Sequence, residues 1–278
     1  MFVKKSEIKN DVMLGDCEKI LERFPDSTFD LIMTSPPYAD SRKKIYGGPS
    51  PDKYVEWFMP KSEQLLRVLK PRGTLIINIK ERVINGERHT YVLDLIRGMK
   101  KQGWLWTEEY IWYKKNSYPG KWKNRFRDSW ERCLQFNKTK DFKMYQDTVK
   151  VPIGNWAKKR FKLDIESDKI RKKSSIGSGF TRKVDNWRNK KKVYPDNVIK
   201  LATECSNRNH AATFPILLPE WFIKLFTLPN NIILDPFAGS GTTGIAAKKL
   251  NRRFVLIEIE KKYHKLSKSN VFSEKSSI

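Results

Sequence analysis

The sequence predicts an α/β fold in which a mostly parallel sheet carries helices on both faces. Segments with the composition of buried strands alternate with segments of helical apolar spacing along most of the 278 residues. Near the carboxyl end, a strand pattern at 232–235 enters a glycine-rich turn, and a helix pattern and a second strand follow. Only 19 residues follow Ile259, so the other strands of this sheet have to come from the upstream part of the chain.

The upstream part supplies these elements in order. A short strand at 11–14 ends at a Gly-Asp pair. The apolar run at 29–33 is strand-like, and Pro36 and Pro37 terminate it because proline cannot donate a ladder hydrogen bond. Further strands are predicted at 74–79, 104–113, 131–136 and 254–259. Helices are predicted at 18–24, 54–69, 90–102 and 218–226, and in the segment that ends at Leu250.

The chain is strongly basic and poor in cysteine. Its 56 Lys and Arg outnumber its 31 Asp and Glu, which leaves a formal net charge of +25. Such an excess favours a polyanionic partner, of which DNA is the obvious one, although a generally basic surface accounts for part of it. Cys17, Cys133 and Cys205 are too widely spaced for a disulfide framework or a zinc site, and no metal is expected.

No apolar run approaches the roughly 18 residues of a membrane-spanning helix. The amino terminus soon becomes charged and lacks the apolar core of a secretion signal. We therefore expect a cytoplasmic protein without a membrane partner.

Residues 139–200 differ in composition from the rest of the chain. They contain 18 Lys or Arg against 7 Asp or Glu, few long apolar periods, and the scattered aromatic residues Trp156, Phe161, Phe180, Trp187 and Tyr194. This composition favours an inserted binding region, and the aromatic residues argue against the alternative of a disordered basic linker. We expect the insertion at 139–205, between parts of the main domain at 1–138 and 206–278.

The strand at 29–33 leads into the segment Thr34-Ser35-Pro36-Pro37-Tyr38. Proline biases the residue before it toward extended geometry, so Ser35 and the Pro36 carbonyl are held in place with Tyr38 just beyond them. Two hydrogen-bond acceptors and an aromatic face suit the binding of a planar amine. A rigid turn without further function is the alternative for this segment taken alone.

The glycine-rich turn is the second motif. It reads Asp235-Pro236-Phe237-Ala238-Gly239-Ser240-Gly241-Thr242-Thr243-Gly244. Its glycines satisfy G-x-G-x-x-G, and the acids Glu258 and Glu260 stand about 20 residues further on, as nucleotide-cofactor sites require. The glycine spacing alone also fits a dinucleotide. A Walker phosphate loop is excluded because no Lys follows the second glycine.

Together, the two motifs resemble those of the amino-group DNA methyltransferases that use S-adenosylmethionine. In that family an Asp-Pro-Phe-x-Gly-Ser-Gly-Thr-Thr block holds the cofactor, and a Ser/Asn/Asp-Pro-Pro-Tyr/Phe block holds the target base. Here the target block precedes the cofactor block, as in the permuted β order of the family. The resemblance implies a circularly permuted, Rossmann-like methyltransferase fold with an inserted DNA-recognition region, and it covers most of the chain outside about 140–200.

The resemblance also implies which residues hold S-adenosylmethionine. Asp16 would accept a hydrogen bond from the adenine amine, with capping of the following helix as its other role. Glu258, preferred to Glu260, would hold the ribose hydroxyls, whereas His210 fits a structural role equally well. The implied cofactor-binding residues are Asp16, Cys17, Thr34, His210, Phe214, Pro215, Asp235, Pro236, Phe237, Ala238, Gly239, Ser240, Gly241, Thr242, Thr243 and Glu258.

For the reaction, the resemblance implies the catalytic group Ser35, Pro36, Pro37 and Tyr38. The Ser35 hydroxyl and the Pro36 carbonyl would accept the two hydrogens of an exocyclic amine, and Tyr38 would stack on a base flipped out of the duplex. No cysteine follows a proline, as the Pro-Cys motif of carbon-5 methylation would require. A Ser before Pro-Pro favours cytosine N4 in double-stranded DNA, with adenine N6 as the alternative.

These features favour a site-specific DNA methyltransferase of a restriction-modification system, with a restriction endonuclease acting on the same site as a candidate partner. A nicotinamide oxidoreductase accounts only for the glycine spacing, and a noncatalytic DNA-binding protein accounts only for the charge. The oligomeric state and the recognition site stay open.

Overall fold

The computed structural model describes residues 7–40, 48–117, 120, 123–155, 190–203 and 214–273. The chain divides into two compact units, one formed by Met1–Tyr145 with Asn197–Ile278 and the other by Gln146–Asp196. In the smaller unit, the described residues include a 3-10 turn at Gln146–Val149 and a short antiparallel pair of strands at Val151–Pro152 and Lys192–Val193. Of the aromatic residues predicted for the inserted region, only Tyr194 is described, and its hydroxyl donates to Asp147 at 3.0 Å.

The larger unit is built on an eight-stranded sheet with the order β1-β12-β11-β2-β3-β7-β6-β10. In chain order the strands are β1 Asp11–Leu14, β2 Phe29–Thr34, β3 Leu69–Ile79, β4 Val83–Ile84, β5 Glu87–Arg88, β6 Leu105–Lys114, β7 Trp130–Asn137, β8 Val151–Pro152, β9 Lys192–Val193, β10 Val198–Leu201, β11 Ile232–Asp235 and β12 Arg253–Glu258. The helices are α1 Cys17–Leu21, α2 Tyr54–Val68, α3 Tyr91–Lys101, α4 Leu217–Phe226, α5 Thr242–Lys249 and α6 Lys261–Phe272.

This sheet confirms the predicted α/β class. Every neighbouring pair in it is parallel except the two pairs that include β7. The late strand β11 lies between β12 and the early strand β2, with Ile233 opposite Leu31. The strand that leads into the cofactor motif therefore lies beside the strand that leads into the target motif, as the permuted order implied.

The centre of the sheet explains the apolar run at 29–33. All six residues of β2 are buried, because β2 has a neighbouring strand on each side and helices cover the sheet. The one acid in this run, Asp30, accepts the Lys70 ammonium at 2.8 Å and the backbone N–H of Ile232 at 2.9 Å. A buried carboxylate is tolerated there because both partners satisfy it, and the second bond ties β2 to the start of β11.

Some elements differ from the prediction. The strand β10 was not predicted; it pairs with β6 and so belongs to the main sheet, while Tyr145 donates its backbone N–H to Leu225. The smaller unit therefore lies inside the predicted 139–205 segment, since its flanks belong to the larger unit. Helix α6 was also not predicted. Among the described helices, none is long and apolar enough to cross a membrane.

Candidate active site

Seven of the eight strands of the main sheet end at a common edge. Because only β7 runs the other way, the carboxyl ends of the other strands point the same way, including those of β1, β12, β11, β2 and β3. In open α/β sheets this edge is where ligands bind, at the point where the strand order reverses. The last residues of these strands and the turns that follow them contain most of the predicted site residues, including Asp16, Ser35, Asp235 and Glu258.

Asp235 joins the two motifs. It is 1% exposed at the end of β11. One carboxylate oxygen accepts the Thr34 hydroxyl at 2.7 Å and the Phe237 backbone N–H at 3.1 Å, and the other accepts the Thr243 hydroxyl at 2.6 Å. Burial raises the pKa of Asp235 to about 6. The three hydrogen-bond donors lower this pKa, but burial has the larger effect. Asp235 and Thr34 therefore link the two motifs through a buried hydrogen bond.

The glycine-rich turn depends on left-handed backbone geometry. Gly239 has a φ of 53° and Gly241 a φ of 86°, values that favour glycine. A Cβ atom at Gly241 would come within 2.5 Å of the Ser267 hydroxyl oxygen and 2.9 Å of a Val271 methyl group. Gly241 is thus needed for the approach of α6, whereas Gly239 belongs to the turn itself.

Glu258 holds this turn from the end of β12. One carboxylate oxygen accepts the Gly239 backbone N–H at 2.7 Å, and the other accepts the backbone N–H of Glu260 at 2.9 Å. Burial raises the pKa of Glu258, while these two N–H donors lower it. Glu260 instead stands at the start of α6 and is only partly buried. Of the two acids, Glu258 contacts the glycine turn.

The Gly15-Asp16-Cys17 turn lies beside Glu258. The Gly15 N–H donates to the backbone carbonyl of Glu258 at 3.0 Å, so β1 and β12 meet there. One Asp16 oxygen accepts the Glu18 N–H at 2.8 Å, which gives Asp16 the helix-capping role considered above. Cys17 is buried, and burial raises the pKa of its thiol to about 12, so the thiol stays protonated.

Exposed apolar side chains at this edge were not predicted as site residues. Ile259 directly follows Glu258 and is 58% exposed, and Leu14, at the end of β1, is 47% exposed. Phe237, which was predicted, is instead partly buried against Trp57, with ring centroids 5.8 Å apart. The positions of Ile259 and Leu14 next to Glu258 and Asp16 were the available sequence signal, but a single apolar residue at a strand end is too common to identify a ligand surface.

The target motif connects to residues that the sequence did not single out. The Tyr38 hydroxyl lies 3.4 Å from the Ser35 hydroxyl, 3.2 Å from the Asn78 side-chain oxygen and 2.6 Å from a Glu131 carboxylate oxygen. Burial, followed by the nearby Glu131 charge, raises the pKa of Tyr38 well above its ordinary value. Asn78 lies on β3 and Glu131 on β7, so only the assembled sheet brings them to Tyr38.

Two of the remaining predicted residues lie before α4, and one lies outside the described residues. Phe214 is partly buried and Pro215 is buried; the Pro215 carbonyl accepts the Leu218 N–H at 2.9 Å. Helix α4 packs against β2 and α5, so this segment approaches the same part of the sheet. His210 lies outside the described residues. The cofactor-binding roles of Phe214, Pro215 and His210, like those of the other predicted residues, stay predictions.

Within the described part of the chain there is no group of three or more His, Cys, Asp or Glu placed to hold a metal ion. Cys17 and Cys133 are free and buried, and Cys205 lies outside the described residues. Burial also raises the pKa of the Cys133 thiol.

Comparison with known proteins identifies the family of the chain. A family model described as DNA methylase, whose name joins N6 and N4 methyltransferases, matches residues 29–269. Type II methyltransferase M.PvuII of Proteus hauseri is 29% identical over 271 residues, covering 90% of this chain and 80% of that protein. Type II methyltransferase M.BglII of Bacillus subtilis is 30% identical over 257 residues, covering 91% of this chain and 66% of that protein.

Solved structures share the fold. A structure described as PvuII DNA methyltransferase (cytosine-N4-specific) aligns with a TM-score of 0.72 and 25% identity, covering 96% of this chain and 88% of that one. A complex of M1.HpyAVI with SAM aligns with a TM-score of 0.58 and 23% identity, over 94% of this chain and 98% of that one, a likeness that bears on the fold alone.

The chain therefore belongs to the DNA methylase family that joins the N6 and N4 amino-methyltransferases, and it is a DNA methyltransferase. The predicted family is confirmed, and the roles of the individual motif residues stay predictions.

Proposed function

We propose that this protein transfers a methyl group from S-adenosylmethionine to the N4 amine of cytosine in double-stranded DNA. The observation that carries the proposal is the bond between Thr34 and Asp235, because it brings the target motif and the cofactor motif side by side. A cofactor held by the glycine turn and a base held by Ser35 would then share one edge of the sheet. A methyl transfer needs that proximity.

The residues around the glycine turn fit S-adenosylmethionine. The first turn of α5 offers backbone N–H groups and a positive dipole end to the cofactor carboxylate. Glu258 accepts one N–H at each oxygen and keeps further lone pairs for the ribose hydroxyls. The exposed apolar surfaces of Ile259 and Leu14 suit the adenine ring. When bound, S-adenosylmethionine supplies an electrophilic sulfonium methyl group.

The target motif would make the base amine reactive. The nitrogen lone pair of an exocyclic amine is delocalised into the ring, so the nitrogen has to become tetrahedral before it can attack. The Ser35 hydroxyl and the Pro36 carbonyl, accepting its two hydrogens, would orient that lone pair and stabilise the developing positive charge. Tyr38 would stack on the flipped base, and Pro37 would keep the loop rigid.

Cytosine N4 is preferred to adenine N6 for two reasons. Ser35 precedes Pro-Pro, as in the cytosine-N4 branch that the motif resembles. M.PvuII, which covers most of this chain, has a structural counterpart described as cytosine-N4-specific. The family model itself spans both kinds of enzyme, so adenine N6 is the alternative.

We further propose that residues 146–196 recognise the DNA site. This segment carries 15 Lys or Arg against 6 Asp or Glu, a net charge of +9. Lys and Arg neutralise phosphates, and some of them can read base edges in the major groove. The relatives are type II methyltransferases, so a restriction endonuclease acting on the same site is a candidate partner. A DNA substrate supports a cytoplasmic location.

Long-read sequencing of plasmid DNA treated with the purified protein and S-adenosylmethionine tests site-specific methylation. The proposal predicts that one short sequence motif is modified at cytosine in every copy, and that Ser35→Ala removes the modification. Absence of modification, or modification without a sequence motif, would contradict it. Calorimetric titration with S-adenosylmethionine and with NAD gives an independent check, since a nicotinamide oxidoreductase would bind only the second.

A further inference from the structure

The Tyr38 hydroxyl lies in a buried group of polar side chains. Glu131 is 6% exposed, and its second carboxylate oxygen forms an ion pair with the Lys114 ammonium, whose nitrogen lies 5.0 Å from the centre of the Trp112 ring. Asn78 is 1% exposed and donates its amide N–H to the Arg132 carbonyl at 3.2 Å. The Asn78 side-chain oxygen therefore faces Tyr38, which is 3.2 Å away.

These contacts decide the direction in which hydrogen bonds run. A phenol has one proton, and the shortest contact of Tyr38, 2.6 Å, is to the Glu131 carboxylate. The carboxylate and the Asn78 oxygen can only accept, so neither can donate to the Tyr38 oxygen. Of the three contacts, the Ser35 hydroxyl at 3.4 Å is the one that can do so. The chain of donors therefore runs from Ser35 to Tyr38 to Glu131.

This direction matters for the reaction proposed above. A serine hydroxyl has one proton and two acceptor lone pairs. If that proton points at Tyr38, the lone pairs are left for the hydrogens of the target amine. If the proton points at the amine instead, it opposes the hydrogen bond that the amine has to donate. The contact of 3.4 Å is long, and hydrogen bonds in an active site can shorten when the substrate binds.

We propose that Glu131 is a positioning residue that acts through Tyr38 to keep Ser35 a hydrogen-bond acceptor. The Lys114 ammonium can only donate hydrogen bonds, and it forms an ion pair with one oxygen of the Glu131 carboxylate. This ion pair holds the carboxylate with its other oxygen directed at Tyr38. The inference rests on the proposed function, because it concerns the same amine and the same serine. It adds to that function the buried Glu131 and the partly buried Lys114, which lie on the antiparallel pair β7 and β6.

Glu131→Gln tests the inference with almost no change in volume. The new carboxamide would turn its oxygen to Lys114, since an ammonium cannot accept, and would present its NH2 group to Tyr38. The Tyr38 hydroxyl would then donate to the Asn78 oxygen and accept from that NH2 group, so the Ser35 proton would compete with the NH2 group for the Tyr38 oxygen. We expect kcat for methylation of plasmid DNA to fall about 10- to 100-fold, with KM for DNA and the affinity for S-adenosylmethionine unchanged.

The double variant separates this role from a structural one. Tyr38→Phe keeps the aromatic ring and removes the hydroxyl, so it should lower kcat to a similar extent. Glu131→Gln combined with Tyr38→Phe should lower kcat no further, because both changes break the same chain. Glu109→Gln is the matched control: Glu109 pairs with Arg132 on the neighbouring strand, and its removal should leave kcat unchanged.

Several outcomes would overturn the inference. One is a Glu131→Gln variant with the kcat of the wild type, and another is a double variant whose losses multiply. If Glu131→Gln does not fold, as loss of cofactor binding would show, Tyr38→Phe decides alone, and an unchanged kcat for it would be contradictory. A wild-type protein that transfers no methyl group to DNA would overturn the proposed function and this inference with it.

Discussion

The hydroxyl of Thr34 donates a 2.7 Å hydrogen bond to the carboxylate of Asp235, a residue 201 positions further along the chain. Thr34 ends the strand before the target motif, and Asp235 ends the strand before the cofactor motif. The bond is buried and links two neighbouring parallel strands at their carboxyl ends. The alignment of the two halves of the site therefore depends on a contact inside the core.

Asp235 should make the stability of the protein depend on pH. Its pKa is about 6 in the folded state against 3.8 in the unfolded chain. Between these values the folded state holds a proton that the unfolded state has lost, so this contribution is complete below about pH 4 and is lost as the pH rises through 6. The loss is about 3 kcal/mol at most. Asp235→Asn has no such titration, and its free energy of unfolding relative to the wild type should rise from about pH 4 to about pH 7.

Denaturant unfolding of both proteins at a series of pH values measures this difference, because the titration of other groups cancels. A difference that stays constant with pH, or that falls as the pH rises, would show that the Asp235 carboxylate is not destabilised in the folded state.

The glycine turn allows a matched pair of variants. Gly239 has a φ of 53° in the turn, and Gly103 has a φ of 102° after α3, where an added Cβ atom would meet open space. Replacing either residue with Ala places a side chain on a strained backbone, at a cost of about 1 to 2 kcal/mol. Only Gly239→Ala should weaken binding of S-adenosylmethionine in calorimetry, because only that residue lies in the turn. Equal affinities of the two variants would count against the cofactor assignment.

Glu258 and Glu260 should differ in their effect on cofactor binding. In Glu258→Gln, the NH2 group faces the backbone N–H of Gly239 or of Glu260, and neither can accept its hydrogen. The substitution therefore loosens the Gly239 turn, and it also removes an acceptor for the ribose hydroxyls. We expect the Kd for S-adenosylmethionine to rise at least about tenfold, since a hydrogen bond to a charged group contributes about 1.5 to 3 kcal/mol. Glu260→Gln is the control and should bind as the wild type does. The reverse ranking would identify Glu260 as the ribose acceptor.

The smaller unit offers a test of DNA recognition. A variant in which a short Gly-Ser linker replaces 146–196 retains Tyr145, whose backbone N–H donates to Leu225 of α4, and retains β10, which pairs with β6. It should retain affinity for S-adenosylmethionine and lose sequence selectivity. Because the segment carries a net +9, the wild-type affinity for DNA should fall with salt by about 0.9 log units per decade for each phosphate contacted, and the variant should show a smaller slope. Unchanged selectivity would place recognition elsewhere.

Local sequence signals were sufficient for the fold class and both motifs, since the strand-proline and strand-glycine junctions are each short and continuous in the sequence. They failed for β10, a four-residue edge strand in which only Ile199 is buried. They also failed for α6, whose buried residues Tyr263, Ser267 and Val271 do follow helical spacing. Because Ser267 is polar, the buried face of α6 does not appear as an apolar repeat in the sequence.

The contacts of Tyr38 show a different kind of limit. Glu131 lies 93 positions from Tyr38, and the two meet only because β7 runs antiparallel beside β3. No local pattern encodes that pairing. The sequence predicted a stacking role for the Tyr38 ring but no partner for its hydroxyl, which in the structure contacts Glu131, the ion-pair partner of Lys114. Residues that act through such distant contacts require the fold.

The identity of the methylated nucleoside tests the central claim most directly. DNA incubated with the protein and S-adenosylmethionine is digested to nucleosides, which are identified by mass and retention against standards. We predict N4-methylcytosine with the wild-type protein and a large loss of it with Ser35→Ala. N6-methyladenine without N4-methylcytosine would contradict the claim.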